Sequence, residues 1–283
     1  MLTYMATRVL PHSVNVVLAR TLIATAAAGL TVRYIARQSR RIHFAGKVVL
    51  ITGGSRGLGL ILARQLAARG AKVAFCARDE AEIAIAKGDI QNHHPCMTEP
   101  LGISCDVSKR DEVQRMVALV KEQLGPVDIL INNAGIIQVG PQSSMEWSDF
   151  ESAMKVHFWG PLAAIQAVLP DMLRQQRGRI VNIASIGGQI GVPHLLPYCA
   201  SKFALVGLSE SLRAELSEDG VLLTLVCPGL MRTGSQYYAR FSDKHRAEFA
   251  WFSASAASPL LVMDAERADE QIQKACEYGD LQI

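Results

Sequence analysis

Lys47-Val48-Val49-Leu50-Ile51-Thr52-Gly53-Gly54-Ser55-Arg56-Gly57-Leu58-Gly59 starts as a β-branched apolar run and passes into a glycine-rich turn. With no polar alternation, the run predicts a strand buried on both faces, as in a parallel sheet. Leu60–Ala68 follows with helical periodicity and stops before Gly70. In a strand–turn–helix unit of this kind, backbone N–H groups and a helix N-terminus can receive a pyrophosphate. Gly53 would allow the tight turn, Gly57 the close approach of phosphate and Gly59 close helix–strand packing. Ser55, Arg56 and Leu58 complete the candidate cradle. The alternative is a structural turn that happens to be rich in glycine.

Lys72–Ala77 reads as the second strand, and its tip decides which dinucleotide is expected. An acidic residue there would bind a ribose 2′-hydroxyl. Here Arg78 follows Ala77, and Arg56 lies in the glycine turn; two guanidiniums suit a 2′-phosphate. NADP(H) is therefore expected over NAD(H), against the alternative of two surface arginines without a ligand. Asp79 is placed to cap the next helix.

Tyr198 and Lys202 are four residues apart in Tyr198-Cys199-Ala200-Ser201-Lys202, and Ser185 lies upstream. Residues at i and i+4 share a helix face, so phenol and ammonium can meet beside one ligand. A nearby cation favours the phenolate, which would bring the Tyr198 proton closer to working pH and suit it to a carbonyl. Alone, the pair is weak evidence and would read as a solvated face; its weight comes from the glycine turn that precedes it. Further strands are expected near Leu101–Cys105, Val127–Ile131, Arg179–Ala184 and Val221–Cys227. Helices are expected over Asp111–Leu124, Met145–Leu173 (kinked or interrupted at Pro161 and Pro170) and from Tyr198 to Leu216. This succession predicts a parallel sheet with helices on both faces.

With these residues in order, the chain resembles a short-chain dehydrogenase/reductase of the single-domain type, from about Lys47 to Thr233. The resemblance rests on Thr52-Gly53-x3-Gly57-x-Gly59, Asp106-Val107, Asn132-Asn133-Ala134-Gly135, Ser185, Tyr198-x3-Lys202, and Pro228-Gly229 leading to Thr233. It implies an α/β, Rossmann-type doubly wound parallel sheet in three α/β/α layers. It also implies interconversion of a carbonyl and a secondary alcohol. Asp106 and Val107 would hold the adenine, and Asn133, Ala134 and Gly135 would line the cofactor cleft. Pro228, Gly229 and Thr233 would lie against the nicotinamide and its phosphate. Tyr198 would be the general acid/base, Lys202 would bind the nicotinamide ribose and lower the Tyr198 pKa, and Ser185 would hydrogen-bond the substrate oxygen. One departure stands out: where the family carries an asparagine in its proton relay, this chain has His157, a candidate catalytic residue or a packing histidine. A non-catalytic NADP(H)-binding sensor or scaffold is the alternative function.

A formal charge of +3 and the lack of a basic, aromatic-interleaved block in the domain argue against nucleic-acid binding. The six cysteines show no spacing suited to zinc, so no metal is expected, and they read as reduced core thiols. Tyr237, Tyr238, Phe241, Phe249, Trp251, Phe252 and Met263 mark a substrate lid at about 234–264 and suggest a lipophilic substrate, though core packing explains them too. Leu281–Ile283 reads as a vestigial edge strand or as the sign of a truncated sequence. Self-association through Met145–Leu173 and Tyr198–Leu216 is implied by the resemblance.

Residues 1–45 read as a basic, hydrophobic extension ahead of a catalytic domain at 46–283. Every charge before Lys47 is an arginine (Arg8, Arg20, Arg33, Arg37, Arg40 and Arg41), and the first acidic residue is Asp79. Val14–Val32 approaches membrane-spanning length with Arg20 as a defect. A membrane anchor or membrane-lying helix, a mitochondrial-type targeting peptide, and a helix packed on the domain or a partner subunit are the readings. Location on the cytoplasmic side of a membrane or in the cytoplasm is expected, with mitochondria as the alternative.

Overall fold

All five residues of Val48–Thr52 are buried, and this strand sits inside a six-stranded parallel sheet. The computed structural model describes residues 12–93, 98–231, 234, 238–241 and 262–283, with side chains from residue 24 onward, residue 26 apart. Thr233, Cys96, Tyr237, Phe249, Trp251 and Phe252 lie outside the described residues. Two units divide the chain, residues 1–41 and residues 42–283.

In the first unit, His12–Ser39 forms α1, and Leu30, Val32, Tyr34 and Ile35 are exposed along it. Among the described residues no helix is long and apolar enough to cross a membrane. Arg20 and the threonines and alanines around it dilute the apolar stretch Val14–Val32.

The second unit runs β1 (Val48–Thr52), α2 (Gly57–Ala68), β2 (Lys72–Ala77), α3 (Glu80–His93), β3 (Leu101–Ser104), α4 (Arg110–Leu124), β4 (Ile129–Asn132) and β5 (Gln138–Val139). It continues with α5 (Trp147–Met154), a π-helical turn (Lys155–Trp159), α6 (Gly160–Arg174), β6 (Gly178–Ile183), α7 (Leu196–Leu216) and β7 (Val221–Val226). Short strands β8 (Leu230–Met231), β9 (Arg240–Phe241) and β10 (Val262–Met263) precede α8 (Ala265–Tyr278). The sheet order is β3-β2-β1-β4-β6-β7, so the winding direction reverses between β1 and β4. Alternate residues of β1 serve opposite layers. Val49 and Ile51 pack with α2 and α8, while Val48 and Leu50 pack with α4 and α6. The doubly wound three-layer fold is as expected.

The stretch expected as one helix over Met145–Leu173 is three pieces. Pro161 has no N–H to give to the preceding turn, and its ring would crowd the carbonyl four residues back. The widened turn Lys155–Trp159 relieves this, and α6 restarts at Gly160, where a Cβ would stand 2.8 Å from the Val107 carbonyl oxygen. Pro170 lies inside α6 without ending it. Leu281–Ile283 adds to the sheet edge: Leu225 N donates to Leu281 O at 3.0 Å and Ile283 N to Leu225 O at 3.1 Å.

Helix α8 starts at its N-cap Asp264 and ends on the left-handed Gly279. Arg69 at the end of α2 ties it down, reaching Glu277 at 2.5 Å and lying over the Phe44 ring at 4.3 Å. On the same helix Asp269 is buried with Oδ1 unpartnered, while Gln273 Nε2 donates to Oδ2 at 2.6 Å. Burial raises its carboxyl from 3.8 to about 6. The folded chain thus holds this proton more tightly than the unfolded chain, and stability falls as pH rises from about 4 to 6. Asp269→Asn is expected to raise the unfolding free energy at pH 7.5 by about 2 kcal/mol, with the gain vanishing below about pH 4. Urea denaturation at the two pH values checks this.

Candidate active site

A cavity of about 980 Å³ lies at the carboxyl ends of β1, β4, β6 and β7, where the strand order reverses. The glycine turn forms one side. Gly53 and Gly57 take positive φ, 68° and 54°. A Cβ on Gly53 would stand 2.8 Å from Ala134 Cα, and one on Gly59 would stand 2.1 Å from the Gly53 carbonyl oxygen. The turn therefore closes only with glycine at both places. Asn133 completes it: its Nδ2 donates to Thr52 O at 3.1 Å and Gly53 O at 2.9 Å. The Thr52 hydroxyl in turn accepts from Asn133 N and Ala134 N, tying the ends of β1 and β4 together.

Behind them a buried chain crosses to α7. Asn132 Nδ2 donates to Asn182 Oδ1 at 2.8 Å, and Asn182 Nδ2 donates to Ser209 Oγ at 2.9 Å. Ser209 is held to Leu205 O. These bonds set α7 against β6 and fix where its first two turns carry Tyr198 and Lys202.

Lys202 Nζ donates to Ile183 O at 2.7 Å and lies 5.8 Å from the Tyr198 ring centre. Burial lowers its pKa to about 8. Tyr198 is hydrogen-bonded to Ser185, whose Oγ accepts from Gly187 N at 3.1 Å. The expectation that Lys202 brings the phenol toward neutral pH is corrected. Burial pushes the Tyr198 pKa up and outweighs the lowering by the Ser185 hydrogen bond, while the Lys202 ammonium is turned to the Ile183 carbonyl. Pro228 O accepts from Ile186 N at 2.9 Å, which holds the Ser185 turn to the chain after β7.

His157 is wholly buried in the π-helical turn and is absent from the cavity wall. Nε2 accepts from Ile136 N at 3.1 Å, so the proton of the neutral ring is on Nδ1, which donates to Ser201 Oγ at 2.7 Å. Ser201 Oγ donates onward to Tyr198 O. The His157 and Tyr198 rings meet edge to face at 5.4 Å.

Residues 47–242 match the sequence profile of short chain dehydrogenases. The chain belongs to the short-chain dehydrogenase/reductase family. Epidermal retinol dehydrogenase 2 of Mus musculus is 39% identical over 208 residues, 69% of this chain and 63% of that protein. The match thus spans less than two thirds of that relative. Among solved structures, a short chain dehydrogenase/reductase from Burkholderia phymatum in complex with NAD superposes with a TM-score of 0.78 at 26% identity, covering 86% of this chain and 89% of that one. A metagenomic short-chain oxidoreductase in complex with NADP gives 0.62 at 33% identity, covering 66% and 84%. The family is one of oxidoreductases that bind NAD(P), and these neighbours include both dinucleotides.

Gly53, Ser55, Arg56, Gly57, Leu58, Arg78, Asp106, Val107, Asn133, Ala134, Gly135, Ser185, Tyr198, Lys202, Pro228 and Gly229 all line the cavity. Gly59 stands behind the wall. Asp79 caps α3 as expected, accepting from Ala81 N at 2.8 Å and Glu82 N at 3.0 Å. Among the described cysteines, all free, Cys76 and Cys105 share a side-chain hydrogen bond on the wall. Sequence reasoning missed Glu82 and Arg240 as lining residues. Glu82 carried a misleading signal, since Asp79-x-x-Glu82 reads as a purely local capping pattern.

Burial holds the His157 pKa well below 6.5. Its folded value being depressed, it costs stability as pH falls below 6.5, where the unfolded chain takes up the proton first. The ¹⁵N spectrum of His157 is expected to show the neutral Nδ1–H form unchanged from pH 8 to pH 6. Titration near 6.5 would contradict the bonding described.

Proposed function

We propose that the chain is an NADP(H)-dependent oxidoreductase that interconverts a lipophilic carbonyl compound and its secondary alcohol. The observation that carries this reading is that one cavity holds both the glycine turn and the Ser185–Tyr198–Lys202 cluster. A dinucleotide suits the residues present: backbone approaches with no room for a Cβ, the start of α2 for the pyrophosphate, and guanidiniums for a 2′-phosphate. When bound, the cofactor supplies or takes the hydride.

Each residue has a task in this reading. Gly53, Ser55, Gly57 and Leu58 hold the pyrophosphate, with Gly59 shaping their turn. Arg56 and Arg78 meet the 2′-phosphate, and Asp106 and Val107 flank the adenine. Asn133, Ala134 and Gly135 line the cleft, while Pro228 and Gly229 face the nicotinamide side; the family resemblance assigns Thr233 to the same part. Lys202 binds the nicotinamide ribose. Tyr198, kept protonated by burial, donates its proton to the carbonyl oxygen during reduction, and Ser185 hydrogen-bonds the same oxygen. We assign His157 a positioning part: it ties Ile136 to the turn carrying Tyr198, and both its nitrogens are engaged in doing so.

The lipophilic reading is supported by Ile137, Val192 and Leu195 on the wall, packed in one cluster with Val139 and Phe241. Self-association through α5–α6 and α7, and attachment of residues 1–40 to a lipid surface, belong to the same proposal. Light scattering and liposome flotation test them; a monodisperse monomer and failure to float would contradict them.

Across a panel of steroid, retinoid, acyl and small carbonyls, Tyr198→Phe is expected to lower NADPH oxidation at least about 100-fold, with cofactor affinity little changed. Retained turnover would sink the proposed role. Cofactor affinity of the parent chain is expected to weaken as pH rises through about 8, where Lys202 loses its charge, and Lys202→Arg should remove that limb.

A further inference from the structure

Asp79 caps α3, and three residues on stands Glu82, from which a glutamate can reach back to the N-cap N–H and close a capping box. Glu82 is committed elsewhere. Its Oε2 accepts from Ser55 Oγ at 2.9 Å, and its Oε1 pairs with Arg56 Nη1. The Tyr238 ring lies 3.9 Å from the Arg56 guanidinium carbon. Ser55, Arg56, Glu82 and Tyr238 all line the cavity beside Arg78. The Arg56 guanidinium that would meet a 2′-phosphate, and the Ser55 hydroxyl beside it, thus already hold an anion supplied by the chain itself.

From this geometry we infer that Glu82 is a specificity-determining residue, a built-in competitor for the 2′-phosphate that narrows the preference for NADP(H) over NAD(H). The inference rests on the cofactor reading above. A phosphate monoester carries nearly two negative charges at neutral pH, and beside the Glu82 carboxylate on one guanidinium it meets like-charge repulsion that weakens its hold on Arg56. A ribose 2′-hydroxyl carries no charge and can donate to Glu82 instead. Arg56 and Glu82 are 41% and 33% exposed, so the pair is weak enough for a dianion to break. The preference is therefore reduced and not abolished.

The test uses the full chain and two probes that differ only in the 2′-phosphate, adenosine 2′,5′-bisphosphate and adenosine 5′-monophosphate, with binding read by calorimetry. Glu82→Gln is expected to tighten the bisphosphate about five- to twentyfold and to leave the monophosphate within about threefold. In an Arg56→Ala background the same substitution should lose most of that gain. Equal tightening of both probes, or unchanged or weaker bisphosphate binding, would overturn the inference while leaving the cofactor reading intact. Failure of the parent chain to bind either probe would instead overturn the cofactor reading, and the inference with it.

Discussion

Desolvation at one corner of the cavity is the constraint on which the rest depends. On the first turns of α7 Lys202 is buried and Tyr198 half-buried at the cavity wall, where neighbouring side chains displace much of the water around both. The ammonium is pulled down to about pKa 8 and the phenol is pushed up. Both groups are nearer neutral than in water. A corner of that kind suits proton transfer to an oxygen and is costly to keep unless backbone groups stand in for solvent. Ile183 O does so for the lysine, and Ser185 does so for the phenol.

The surrounding fold holds that corner in place. The Asn132–Asn182–Ser209 chain locks β4, β6 and α7 into one register, and His157 joins the turn after β4 to the backbone at Tyr198. A neutral histidine can make these two bonds with one donor and one acceptor. An ionised one would leave Ile136 N facing a second N–H. The π-helical turn that brings His157 inward follows from the Gly160-Pro161 pair, so a local backbone irregularity places a buried side chain near the chemistry.

Much of this was legible in the sequence, because the deciding features are local. The β1 run, the spacing of Gly53, Gly57 and Gly59, and the four-residue step from Tyr198 to Lys202 each follow from the backbone of one element. The features that were not legible depend on contacts between elements. Lys202 turns to Ile183, 19 positions earlier in the chain, and burial raises the Tyr198 pKa against the expected direction. Glu82 satisfies a helix-start pattern yet reaches back to Ser55 and Arg56. The interrupted helix was half anticipated: Pro161 marked the place, but the widened turn depends on how closely Gly160 meets Val107. Periodicity and capping rules carry no information about which distant carbonyl or carboxylate a side chain will find.

The direct measurement is a pH titration of the chain labelled with ¹³Cζ-tyrosine, with Tyr198→Phe identifying the resonance. The account predicts that the Tyr198 signal keeps its phenol shift past pH 10. Ionisation between pH 7 and 8 would contradict it, because the lysine charge, and not burial, would then govern the proton.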